Sequence, residues 1–275
     1  MRIALLQFSP KVGCPDCNRD KVVALMGQAA ASEADVVVLP ELWNTSYAGE
    51  RLASLADSHG RETMRFLGEL ARQYRVNIVG GSIAELRDGR IFNVCYVFDR
   101  AGYVVARYAK VHLFQGMDEK RWFAAGEAMP TFSLDGICCG VMICYDLRFP
   151  EVARRLAVAG AEIIFMPAQW PNPRLHHWRT LVQARAIEDQ VAVVACNRTG
   201  VEGTNSFFGH SMVADPWGQI IGEAGDTEQV LCSDVDVQDV RRVREMFPVL
   251  SDLAPFLRGE ERGVGSGAES DCSSF

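Results

Sequence analysis

The stretch Val36-Val37-Val38-Leu39 restricts what this chain can fold into more than any other. Three β-branched residues and a leucine follow one another, so the apolar-polar alternation of a half-solvated strand is missing. Such a strand is stable only where both of its faces are covered. Residues 3–8 form a second apolar, β-prone run. Between the two runs, Val22, Val23, Leu25, Met26 and Ala29 recur at helical spacing. Asn18 stands where an N-cap would, and the predicted helix runs from there to about residue 33. Strand, helix, strand in this order is the βαβ unit of an α/β fold.

The rest of the chain continues the pattern. Helices are predicted over 62–73, 150–158 and 176–189, the second with Pro150 at its first position and Glu151 in its first turn. Asp88-Gly89 joins predicted strands 77–83 and 91–98, and Asp135-Gly136 joins 131–134 and 137–144, both as hairpins. Further strands are expected at 103–108, 163–166, 191–196, 211–214, 219–221 and 230–235. A chain of 275 residues with 48% hydrophobic content can bury a substantial core. No Gly/Ser-rich linker divides it, so residues 1–258 read as one domain, and 259–275, rich in Gly and Ser, as a flexible tail.

Composition excludes several function classes. A formal net charge of -7 repels phosphate backbones and gives no basic handle for anionic lipid, so neither nucleic acid nor membrane is an expected partner. No signal-peptide pattern or membrane-length apolar window is present, and a cytoplasmic location follows as an expectation. Nine cysteines show no disulfide-like rhythm, and Cys95, Cys138, Cys139 and Cys196 sit in apolar runs as small core residues. Cys14 and Cys17 form one C-x-x-C without the second pair or histidines that zinc needs; two unlinked loop cysteines are favoured over a redox pair.

Three residues could carry chemistry. Cys144 lies between the apolar strand ending at Ile143 and the helix opening at Pro150. There a helix dipole would favour thiolate, and outward N–H groups could hold an oxyanion. Glu41 follows the buried run through Pro40, at the strand end where α/β sheets place their ligands. Lys110 is flanked by apolar residues in Tyr108-Ala109-Lys110-Val111. Taken singly, each has an ordinary explanation: a structural thiol, a solvated glutamate, a snorkelling lysine.

Taken together, they match one family in order. Val37-Val38-Leu39-Pro40-Glu41, Tyr108-Ala109-Lys110-Val111-His112-Leu113-Phe114 and Gly140-Val141-Met142-Ile143-Cys144-Tyr145-Asp146-Leu147-Arg148-Phe149-Pro150 resemble the nitrilase, or carbon–nitrogen hydrolase, superfamily. The resemblance implies a four-layer αββα sandwich and a homodimer or higher homo-oligomer. It implies a catalytic triad of Glu41, Lys110 and Cys144, with a second glutamate at Glu119. Segments such as Ala168-Gln169-Trp170-Pro171, His177-Trp178 and Asn197-Arg198-Thr199-Gly200 are similar to the ω-amidase branch. That branch hydrolyses the terminal amides of α-ketoglutaramate and α-ketosuccinamate. Gln169 departs from the Asn that many relatives carry, and its longer side chain is expected to reshape the pocket.

The expected function is therefore hydrolysis of a small amide through a thioester on Cys144, with Glu41 moving protons and Lys110 holding the oxyanion. No metal or organic cofactor is expected, and the histidines show no H-x-H or H-E-x-x-H spacing. Arg174 is the candidate for a substrate carboxylate. Tyr47, Tyr145 and Trp170 are the other candidate substrate-binding residues. Arg148 and Asp146 read as braces, and Asn197 as a support. Nitrile or N-carbamoyl hydrolysis competes within the same chemistry. A non-catalytic binding protein on this fold competes from outside it, as does a thiol redox role for Cys14 and Cys17.

Overall fold

A computed structural model describes residues 1–255, so the boundary at 258 and the tail 259–275 lie outside the described residues. Two sheets lie face to face. The first runs in the order Gln229–Asp234, Arg2–Gln7, Val36–Val38, Asn77–Val79, Arg90–Phe98, Ile83–Arg87, Asp57–Ser58, with Val104–Ala109 also pairing onto Arg90–Phe98. The second runs Ile220–Glu223, Met212–Ala214, Ala192–Asn197, Ile163–Ala168, Ile137–Val141, Thr131–Leu134. Parallel pairs form the centre of each, Arg2–Gln7 with Val36–Val38 and Ile163–Ala168 with Ala192–Asn197.

The apolar runs explain the layering. Along one strand Ile3 and Leu5 face the second sheet, while Ala4 and Leu6 face helices Pro15–Ala31 and Arg61–Tyr74. Val36 and Val38 join the first set and Val37 the second, so the unbroken run is covered on both sides, as its sequence demands. Helices Pro150–Val158 and Leu175–Asp189 cover the outer face of the second sheet through Leu156, Trp178 and Val182. The result is the four-layer αββα sandwich of the nitrilase type. Among the described residues no helix is long and apolar enough to cross a membrane.

Local readings differ at two N-terminal points. The first helix begins at Pro15, and Asn18 lies inside it rather than capping it. The Asn18 amide instead donates to the Lys11 and Asn44 carbonyls at 2.9 and 2.8 Å and accepts from the Lys11 N–H, tying the helix to the loop before Tyr47. Cys14 and Cys17 are joined in a disulfide, not left as unlinked loop cysteines. The helical turn started by Pro15 brings their Cα atoms to 5.4 Å, within disulfide range.

Both sheets end their central strands at the same edge of the molecule. The Glu41 N–H reaches the Ala168 carbonyl at the end of the other sheet's strand. Gly81 holds the neighbouring turn at φ +62°, with no room for a side chain: a Cβ would collide with the Pro40 carbonyl and stand 2.9 Å from Leu39. Gly81→Ala is therefore expected to destabilise the fold by about 2–4 kcal/mol in urea unfolding, and to lower activity further by displacing Glu41. Stability and activity equal to wild type would contradict this packing.

Candidate active site

Lys110 follows the strand Val104–Ala109 directly, and its backbone N–H pairs with the Asn93 carbonyl on the next strand. Its ammonium is fully buried, 2.7 Å from Glu41 Oε1 and 2.7 Å from Glu119 Oε1. Glu119 opens the short helix Glu119–Trp122, and its Oε2 accepts the Phe114 N–H at 2.8 Å, which closes the 114–119 loop upon itself. Tyr47 Oη donates to Glu119 Oε1. Glu41 Oε2 accepts the Gln169 N–H at 2.8 Å, and Oε1 also accepts Asn93 Nδ2 at 2.8 Å.

The nucleophile candidate is placed by strain. The strand expected to reach Cys144 stops at Val141, and Cys144 begins a 3-10 turn, Cys144–Arg148, with φ +47°. A non-glycine residue is held there only by its surroundings. Asp146 supplies the hold: its carboxylate accepts the Ile143 N–H at 2.9 Å, the Tyr108 hydroxyl at 2.6 Å and the His112 N–H at 3.0 Å. Asp146 is thus the brace that the sequence suggested, while Arg148 reaches outward to the cavity wall.

The electrostatics overturn one expectation. Cys144 does not sit as a dipole-stabilised thiolate; burial, then the charge of Glu41, pushes its pKa well above an ordinary thiol's, against the pull of Lys110. The helix that begins at Pro150 starts six residues after Cys144, beyond the 3-10 turn Cys144–Arg148. Burial also raises Glu119 above the usual carboxylate range, with Lys110 opposing and Glu41 assisting. It raises Tyr47 too, with help from Glu119 and Glu41. For Lys110, burial disfavours the charge, but Glu119 and Glu41 outweigh it and hold the ammonium protonated.

The cluster opens on a narrow cavity lined by Tyr47, Phe114, Cys144, Tyr145, Arg148, Gln169, Trp170, Pro171 and Arg174. All four candidate substrate-binding residues are therefore at the wall. The Tyr145 ring lies tilted against Phe114 at 4.9 Å, and the Trp170 backbone N–H donates to Asn197 Oδ1 at 2.8 Å, the support expected of Asn197. Arg174 lies over the Phe114 ring and Arg148 over the Trp170 ring, and neither meets a carboxylate among the described residues. Gln169 uses its extra length to bridge: Nε2 donates to the Glu41 carbonyl at 2.7 Å, and Oε1 accepts from Arg198 and Ser46. Tyr47 divides this cavity from a wider vestibule that Met117, Glu202 and Asn205 help to line.

Asn93 and the Gln169 N–H escaped the sequence reading. Asn93 left a signal, since an Asn amid Ile91-Phe92 and Val94-Cys95 is out of place in a buried strand. The Gln169 backbone contact left none. Among the described residues no group of three or more His, Cys, Asp or Glu is arranged to hold a metal.

Comparison with known proteins agrees with this geometry. The carbon-nitrogen hydrolase family profile matches residues 2–245. A 2-oxoglutaramate amidase of Bacillus subtilis (strain 168) is 42% identical over 251 residues, covering 91% of this chain and 96% of that protein. The omega-amidase NIT2 of Mus musculus is 31% identical, covering 90% and 93%. A double mutant of the amidase from Nesterenkonia sp. AN1, solved in complex with acrylamide, superposes with a TM-score of 0.84 at 27% identity, covering 94% of this chain and 96% of that one. With the family match spanning both sheets and the buried cluster between them, the chain belongs to the carbon–nitrogen hydrolase family and is an amidase.

Proposed function

We propose that this amidase acts on the terminal amide of a short dicarboxylate, with 2-oxoglutaramate as the leading substrate. The observation that carries the reading is the pair of guanidiniums, Arg174 and Arg148, facing the Cys144 cavity without a carboxylate partner. In a chain of net charge -7, two uncompensated cations in one small cavity favour an anionic ligand. Arg174 takes the free carboxylate, while Tyr47, Tyr145 and Trp170 wall the carbon chain. The similarity to a 2-oxoglutaramate amidase points the same way.

Glu41 takes the thiol proton as Cys144 Sγ attacks the amide carbon, so a carbon–sulfur bond forms while the carbonyl becomes an oxyanion. Lys110 Nζ and the backbone N–H at Tyr145 hold that oxyanion. Collapse breaks the carbon–nitrogen bond, and Glu41 returns its proton to the leaving nitrogen, which departs as ammonia. Water, deprotonated by Glu41 or Glu119, then attacks the thioester; the carboxylic acid leaves and Cys144 regains its proton. The charge inside the cluster changes position in each step but not amount. A neutral resting thiol suits this sequence better than a stored thiolate, because the proton it gives to Glu41 is the one that ammonia needs.

We also infer that two protomers associate. Ile187, Trp217 and Phe247 are exposed; Trp217 meets Phe247 edge-on at 5.9 Å, and Ile187 adjoins Gly218. A second copy would cover this apolar patch, and sedimentation velocity reads that directly. A cytoplasmic location suits the six free cysteines among the described residues.

Ammonia release should be fastest from 2-oxoglutaramate and succinamate, and slow from an N-carbamoyl amino acid or an aliphatic nitrile. Cys144→Ala is expected to lower kcat by roughly 10⁴-fold or more. Retained turnover in that variant would overturn the thioester route. Arg174→Ala should raise KM for succinamate by roughly 10- to 100-fold and leave a neutral amide such as butyramide nearly unchanged. Equal effects on both substrates would remove the carboxylate role.

A further inference from the structure

Asn93 stands in the middle of the strand Arg90–Phe98, fully buried. Its Nδ2 donates to Glu41 Oε1 at 2.8 Å, while its Oδ1 has no protein partner. An apolar residue of similar size would leave no unmet acceptor, so an Asn here is worth keeping only for its donor.

That donor completes the surroundings of Glu41. A carboxylate offers about four lone-pair sites. Lys110 Nζ takes one on Oε1 and the Gln169 N–H takes one on Oε2, while the charge of the carboxylate acts on the neighbouring Cys144 thiol. Asn93 fills the place on Oε1 that Lys110 leaves. Without it the carboxylate could turn about its last bond toward the lysine, and its free lone pair would leave the sulfur.

We propose that Asn93 is a positioning residue for proton transfer, fixing the plane of the Glu41 carboxylate so that one lone pair faces first the Cys144 sulfur and then the leaving nitrogen. It acts through Glu41 and touches no substrate. The inference rests on the reading of Glu41 as proton shuttle. The charged and titratable groups around Glu41 are Lys110, Glu119 and Cys144, with Tyr47 behind Glu119. None of them can replace a neutral donor on that side.

The test compares Asn93→Ala, Asn93→Leu and Asn93→Asp with wild type, on succinamate, across pH, with Glu41→Gln as control. Asn93→Ala should lower kcat roughly 10- to 100-fold with KM changed by less than about twofold. Asn93→Asp keeps the shape but loses the donor once its carboxyl, held protonated to higher pH by burial and by Glu41, ionises. Its rate should fall as pH rises through that ionisation and recover as pH drops and the carboxylic acid donates again. A merely space-filling role predicts Asn93→Leu near wild type and an Asn93→Asp pH profile that follows wild type, and that result overturns the inference. Thermal unfolding of each variant checks the fold; should Asn93→Ala fail to fold, the Asn93→Asp profile decides alone. An active Glu41→Gln would sink the shuttle reading and this inference with it. An inactive Glu41→Gln beside an Asn93→Asp pH profile that follows wild type would sink this inference only.

Discussion

One ammonium lies between two carboxylates in a dry interior, and much of the surrounding structure answers to that fact. Lys110 meets Glu41 and Glu119 at 2.7 Å each, all three without solvent exposure. Ions taken out of water must find hydrogen bonds for every remaining lone pair or the site is destabilised. The fold supplies them from far apart in sequence: the amide of Asn93, the backbone of Gln169, the backbone of Phe114 and the hydroxyl of Tyr47. The strand ends of two different sheets have to meet for these donors to converge.

The same arithmetic of charge explains the thiol. Two carboxylates share one cation, so any further negative charge nearby is resisted, and burial adds to the resistance. Cys144 therefore rests as a thiol, held in a left-handed conformation by Asp146 and aimed at the cavity. Proton transfer to Glu41 costs less than ionisation to solvent, because the interior keeps the same number of charges throughout. Outside this centre of two carboxylates and one ammonium, Arg148 and Arg174 hold positive charge in reserve, laid on aromatic rings rather than paired with acids.

Sequence pattern revealed the layered frame because the frame is hydrophobic in origin. The run through Val36, Val37 and Val38 requires two covered faces, and the structure gives it one sheet and one helical layer. The order of Glu41, Lys110 and Cys144 revealed the site. What stayed hidden depends on contacts across the fold. The ionisation of Cys144 turns on burial and on Glu41, 103 positions earlier by number, so reading the local helix dipole gave the wrong direction. The Cys14–Cys17 bond depends on where the helix starts, and Pro15 at its first position, not Asn18 as a cap, starts it. The hairpin Thr199–Glu202 with Asn205–Phe208 is short and polar at its tip, which weakens the strand signal. The helix Val237–Met246 carries a legible cap in Asp236, whose side chain accepts the Gln238 N–H.

The ionisation of Cys144 is the quantity to measure. Thiolate absorbance in the ultraviolet, taken as wild type minus Cys144→Ala from about pH 6 to about pH 9, reads it directly. Wild type should show no thiolate from Cys144 over this range, and Glu41→Gln, which removes the repelling charge and leaves Lys110 in place, should ionise at lower pH than wild type. A thiolate already present at neutral pH in wild type and lost in Glu41→Gln would contradict the resting state described here.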